Sequence, residues 1–140
     1  MGIRRYDLSE CQLYVSKQYS GVFQCIILTK IGEFIASAQL SHVGEHIYVP
    51  DGVVARRGFG YSLHRMLVDV ATYFGGALAV VRDGKARGNA LNVWNVFFND
   101  PELYAVDISK TPCRLYETTN SVDKPSLFHA YKSKKEQAVC

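Results

Sequence analysis

The sequence predicts a mixed α+β domain: a mainly antiparallel central sheet with one strand–helix–strand unit built into it. Three observations carry that expectation. Residues 12–54 form a succession of β-branched and aromatic runs separated by glycine-containing turns, the pattern of antiparallel strands. From Phe59 onward the apolar residues recur at helical spacing. After a Gly75-Gly76 stop, the short apolar run Ala77 to Val81 reads as a strand covered on both faces and parallel to the strand before the helix.

Taken in order, Gln12 to Gln18 alternates loosely through Leu13 and Val15, and Ser20-Gly21 makes a turn. Val22 to Thr29 (VFQCIILT) has the composition of a buried strand. Lys30-Ile31-Gly32-Glu33 is a hairpin signal, and Phe34 to Val43 is its antiparallel partner. Gly44-Glu45 breaks that run, and His46-Ile47-Tyr48-Val49 begins the next strand, with Tyr48 facing away from Ile47 and Val49. Pro50 has no amide to donate and Gly52 weakens pairing, so Pro50-Asp51-Gly52 predicts a bulge or kink before Val53-Val54.

Phe59, Leu63, Met66, Leu67, Val70, Ala71 and Phe74 predict an amphipathic helix from about Gly58 to Phe74. With residues 77–81 this completes a strand–helix–strand unit over 46–81. A polar loop, Arg82 to Gly88, leads to a second helix from Asn89, a candidate cap, to Phe98. Its apolar stripe is Ala90, Val93, Trp94 and Phe97, and Asn99-Asp100-Pro101 ends it. Leu103 to Ile108 and Arg114 to Thr118 look like a closing pair of strands. The remainder is polar and Lys-rich, with Phe128 and Tyr131 as isolated anchors. The expected organisation is one domain over 1–118 and a polar tail over 119–140.

A chain of 140 residues, 48% hydrophobic and 21% charged, can bury one core without disulfide or metal staples. Sixteen basic against thirteen acidic residues leave +3, too little to imply nucleic acid by itself. Cys11, Cys25, Cys113 and Cys140 are scattered, with none of the close pairing a structural zinc site needs. No metal is expected. Arg4-Arg5 is followed by Tyr6-Asp7-Leu8-Ser9-Glu10 and not by the apolar core of a signal peptide, so the expected setting is reducing and cytoplasmic, with no membrane partner.

The chemistry is concentrated in Ala55-Arg56-Arg57-Gly58-Phe59-Gly60, at the junction of strand and helix. A helix start leaves its first backbone N–H groups without partners and carries partial positive charge. Glycines let a phosphate approach such a backbone closely. Gly58 and Gly60 flank Phe59, which turns back toward the core, while Arg56 and Arg57 add charge beside the amides. A dinucleotide site would need a third glycine where Leu63 stands, and a Walker loop would need a following Gly-Lys-Ser/Thr.

This segment resembles the signature of the Gcn5-related N-acetyltransferases, Gln/Arg-x-x-Gly-x-Gly/Ala between a strand and the family's central helix. YSLHRMLVDVATYFGG then resembles that helix. The likeness runs over about residues 22–118 and is sharpest over 53–75. It implies a GNAT-like sheet around an acetyl-coenzyme A core. Val54, Arg56, Arg57, Gly58, Phe59, Gly60 and Tyr61 would then be the cofactor-binding residues, gripping the pyrophosphate. The implied activity is transfer of acetyl from acetyl-coenzyme A to an amine acceptor that the sequence does not identify.

Acetyl transfer to an amine needs a base, direct or through water, and an acid for the departing thiolate. Glu45, flanked by His42 and His46, is the candidate base, close to where some family members carry theirs. Ala55 stands where the family has Gln or Arg. Phe97 and Phe98 occupy the region where it often has a Tyr acid, leaving Tyr104 as the nearest phenol and the candidate acid. These departures, with the short segment before Val22, motivate an alternative: a non-catalytic binding or structural protein with the same fold, for example virally or mobile-element encoded, acting through protein or nucleic-acid contacts. Arg56, Arg57, Arg65, Arg82, Lys85 and Arg87 are candidates to converge at one end of the sheet. Such a cluster would suit the 3′-phosphate of coenzyme A or, as a weaker option, a nucleic-acid backbone.

Overall fold

Strand alternation and one long amphipathic helix organise the described residues around a seven-stranded mixed sheet with strand order β1-β2-β3-β4-β5-β7-β6. The computed structural model describes residues 11–19, 21–44, 46–79, 89–108 and 129–134. Its elements are β1 (Cys11–Tyr19), β2 (Val22–Thr29), β3 (Phe34–Gly44), β4 (Ile47–Ala55), α1 (Gly60–Tyr73), β5 (Ala77–Ala79), α2 (Asn89–Phe98), β6 (Leu103–Asp107) and β7 (His129–Ser133).

The first four strands form an antiparallel meander. Gly21 and Gly32, with φ of 75° and 88°, supply the left-handed turn residues between them. The kink expected at Pro50-Asp51-Gly52 is a bulge. Gln39 pairs with Asp51 and Ser37 with Val54, so Gly52 and Val53 together oppose Ala38, and Gly52 has φ 57°.

Period-two alternation then divides the side chains between two faces. Cys25, Ile27, Ala36, Ala38, Leu40 and Tyr48 point to the helix face, where they meet Leu63, Met66, Leu67, Val70 and Ala71 of α1 and Val93, Trp94 and Phe97 of α2. Val43, Ile47, Val49, Ala77, Ala79 and Ala130 form a second buried cluster on the opposite face. Tyr48 therefore faces away from Ile47 and Val49, as their alternation requires. Burial raises the Cys25 thiol to about 11, which keeps it a neutral packing group.

β5 is parallel to β4, and all three of its residues are buried, as its uniformly apolar composition predicts. Among the described residues the two strands pair at Ile47 with Ala77 and Tyr48 with Leu78. Beyond Tyr48, β4 keeps β3 as its partner to Ala55, at the end where the Arg56–Phe59 loop lies.

The expectation of a tail from residue 119 is corrected for residues 129–133. His129–Ser133 is β7, antiparallel to β5 on one side and to β6 on the other. The partner expected for the strand beginning at Leu103, Arg114 to Thr118, lies outside the described residues, and β6 pairs with β7 instead. The cause is hydrophobic burial. Ala130 and Tyr131 sit at 1% and 0% exposure, with Tyr131 wedged 5.9 Å from Trp94 and 5.6 Å from Phe97 between ring centroids. A run as polar as HAYKS carries a weak strand signal because only alternate side chains have to be apolar.

Thr72 fastens this strand to α1. Its hydroxyl donates to the Val68 carbonyl at 2.8 Å and accepts the Ser133 amide at 2.9 Å. Thr72→Val keeps the shape but leaves the amide of buried Ser133 without that acceptor, at an expected cost of about 1–3 kcal/mol. Urea unfolding followed by circular dichroism measures it. Ala130 and Tyr131 amides that exchange faster in the variant would locate the loss in β7.

Candidate functional site: the β4–α1 loop

The loop is held from below by its own backbone. The Arg56 amide donates to the Ile35 carbonyl of β3 at 2.9 Å, and the Phe59 amide donates to the Arg56 carbonyl at 2.9 Å, closing a turn. Gly58 occupies the left-handed region of that turn with φ 88°, a conformation L side chains rarely adopt. Phe59, 8% exposed, drops into the helix-face core and directs the chain into α1.

Gly60 is different. Its backbone is not left-handed, and a Cβ added to it would meet nothing within 4 Å. Glycine weakens a helix relative to alanine by about 1 kcal/mol. No contact or torsion within the described chain requires it here. The space beside Gly60 is open and borders the helix start.

The amides of Arg57, Gly58 and Gly60 donate to no described acceptor, and Tyr61 follows within the first turn. Phe59 is the N-cap residue and makes no side-chain capping bond, and no acidic residue occupies the first turn of α1. The positive end of the helix is therefore not neutralised by a carboxylate of its own first turn. Arg56 and Arg57 are exposed beside it and form no ion pair with a described residue.

His64 carries no signal in the sequence, because it lies beside the apolar stripe and belongs to no motif. It is 6% exposed, its Nδ1 lies 2.7 Å from the Gly60 carbonyl, and its ring meets Trp94 edge-on at 5.6 Å. A neutral ring donating Nδ1–H to that carbonyl pins the first peptide of the helix. Burial lowers its pKa from the ordinary 6.5, and the Gly60 hydrogen bond opposes that shift only in part. The unfolded chain thus takes up a proton near 6.5 that the folded chain refuses. Stability is full above that pH and falls below it, by up to about 1.4 kcal/mol per pH unit, until the lower folded value is reached. Urea unfolding at a series of pH values checks this, and His64→Asn should flatten the slope while keeping a donor for Gly60.

The other candidates are not all brought here. Val54 is near the end of β4 with its side chain 57% exposed, and Tyr61 is buried against Phe97. The Phe59 amide, expected to hold a ligand, is already committed to Arg56. Arg65 does not join Arg56 and Arg57: it pairs with Asp69 at 2.7 Å and approaches Glu102 at 3.9 Å. Tyr104 sits on β6, the far edge strand, with β7 and β5 between it and β4, about 14 Å away at ordinary strand spacing. Its ring lies beneath the Lys134 ammonium at 5.2 Å, so the structure does not bring it to the loop.

Glu45, Arg82, Lys85 and Arg87 lie outside the described residues. His42 stacks on Tyr48 at 4.8 Å, and His46 has φ 60° at the start of β4, where its carbonyl accepts the Ala77 amide. Among the described residues no group of three or more His, Cys, Asp or Glu is arranged to hold a metal ion. No described helix is long and apolar enough to cross a membrane.

No protein-family model matches the chain. No curated protein matches its sequence. Among solved structures, an acetyltransferase of the GNAT family from Staphylococcus aureus Mu50 is similar with a TM-score of 0.48 and 9% identity, over 83% of this chain and 70% of that one. A likeness of that degree is one of outline, and a function has to be read from the loop itself.

Proposed function

We propose that the protein binds acetyl-coenzyme A at the β4–α1 loop and transfers its acetyl group to an amine. The observation that carries this reading is Gly60, a helix-weakening residue with no role in the described packing, where a Cβ would meet nothing within 4 Å, at a helix start with no acidic residue in its first turn. The amides of Arg57, Gly58 and Gly60 are the donors for the pyrophosphate, with Tyr61 next in the first turn and the Arg56 and Arg57 guanidinium groups beside them. When bound, acetyl-coenzyme A supplies the activated acetyl group. The chain's part is to grip the phosphates and orient the thioester. Glu45, directly or through a water, is the proposed base, and cytoplasm the proposed setting.

Calorimetric titration with acetyl-coenzyme A and with coenzyme A tests the reading. Saturable binding of both, weakened by salt, is expected, and no heat at millimolar ligand removes the proposal. Tyr104 on the distal edge favours a second reading, a module that keeps the fold and the ligand loop without turnover. Binding of acetyl-coenzyme A without hydrolysis or transfer to any of a panel of amines would select it.

A further inference from the structure

Among the described strands β1 is the outermost on its side of the sheet, and it carries the marks of an edge meant to be covered. It runs nine residues, with no proline and Lys17 as its only charged residue. Isolated sheet edges are ordinarily blunted by charges, proline or shortness. Here the single irregularity is a register shift between Lys17 and Tyr19, which bends only the end of the strand. Tyr14, Val15 and Tyr19 are 50%, 39% and 64% exposed. The hydrogen bonds of β1 run to β2 and between its own side chains, and its outer backbone groups are taken up by no other described element.

The strand also complements itself. On one face the Tyr14 hydroxyl donates to Gln12 Oε1 at 2.6 Å, and Gln18 Nε2 donates to Ser16 Oγ at 3.1 Å, so Gln12, Tyr14, Ser16 and Gln18 form a row already ordered by two local bonds. A two-fold axis perpendicular to the sheet makes two copies of a strand antiparallel. Matching pleats require that axis to pass through a residue position. Full overlap of Cys11–Tyr19 selects Val15. Gln12 then faces Gln18 of the second copy, amide to amide, and Tyr14 faces Ser16, hydroxyl to hydroxyl, while the Lys17 stem lies over Leu13. No like charges meet.

We propose that the protein forms a two-fold dimer by antiparallel pairing of β1 with β1 of a second copy about Val15, making one continuous sheet with the helices of both copies on the same side. This is independent of the ligand assigned to the loop, which lies beyond the other end of the meander.

Sedimentation velocity of the full chain over about 1–100 µM, the range of modest interfaces, tests it. The wild type is expected at twice its 15.7 kDa mass at the upper end. Tyr14→Lys with Ser16→Lys places lysines opposite one another twice across the axis and should weaken dimerisation at least tenfold. Tyr14→Lys with Ser16→Glu puts opposite charges at the same positions and should keep the dimer. Both variants alter a solvent-facing row, and unchanged melting of the dilute monomers verifies folding. A wild type that is monomeric throughout, as it would be if the edge served a different protein, overturns the proposal. So does a pair of variants that behave alike.

Discussion

Gly76→Ala is expected to destabilise the fold strongly for the addition of a single methyl group. A Cβ at that position would lie 2.7 Å from the His46 carbonyl oxygen and 2.7 Å from Cε2 of Tyr48. Neither neighbour can retreat. The His46 carbonyl accepts the Ala77 amide that starts the β4–β5 pairing, and Tyr48 is 8% exposed, packed on His42 and near Phe74. Overpacking of this kind costs about 1–3 kcal/mol, and the upper part of that range is expected because backbone is one of the obstructing groups. Urea unfolding gives the magnitude. The accompanying signature is faster exchange of the Ala77 and Leu78 amides, since the clash falls on the two residue pairs that join β4 to β5. A variant as stable as the wild type would mean that the Gly76 turn is not packed as described.

Gly60→Asp should do the reverse of what most loop substitutions do: preserve or raise stability while removing the ligand. A Cβ at this position meets nothing within 4 Å, so the backbone-proximal part of the side chain is accommodated. Leaving glycine for a residue with less backbone freedom favours the helix, and a carboxylate in the first turn interacts favourably with the dipole by about 0.3–1 kcal/mol. The same carboxylate occupies the site proposed for a pyrophosphate and repels it. Affinity for acetyl-coenzyme A should fall at least tenfold, about 1.4 kcal/mol, measured by calorimetry beside thermal melting of the same samples. Gly60→Ala should give the same stability trend with a smaller loss of affinity. Intact binding in the aspartate variant would take the ligand away from this loop.

Much of this architecture is legible in the sequence wherever one physical signal dominates. The period change at Phe59 locates α1 to within two residues at its start, because nine residues of that helix are buried and only a helix spaces them so. Pro50-Asp51-Gly52 announces a bulge because proline and glycine each forbid something specific. Arg56 to Gly60 stands out in the same way, since two glycines and two adjacent cations at a strand end serve few purely structural purposes. The illegible part is long-range. HAYKS has no periodicity to distinguish it from a solvated tail, and its placement between β5 and β6 is decided by Tyr131 fitting among Trp94 and Phe97, residues more than thirty positions earlier. Tyr104 is close to α2 in sequence, yet strand order moves it to the far edge. Arg65 belongs with its basic neighbours by sequence alone, whereas helical spacing hands it to Asp69 one turn away.

The position of β7 also sets the order in which the sheet can be completed. Among the described strands β6 joins β5 only through β7, so when Asp107 has emerged during synthesis β6 still lacks its described neighbour. The meander, α1 and β5 can collapse as soon as they exist, since their contacts are local or separated by one helix. Trp94 and Phe97 can meet His64 and Tyr61 of α1 at once, but they lack their contacts with Tyr131 until it arrives. Closing that gap is the longest-range event among the described elements and therefore the one expected to govern the folding rate. It also makes the nascent chain most vulnerable to proteases and to self-association in the interval between the making of α2 and the making of the final strand.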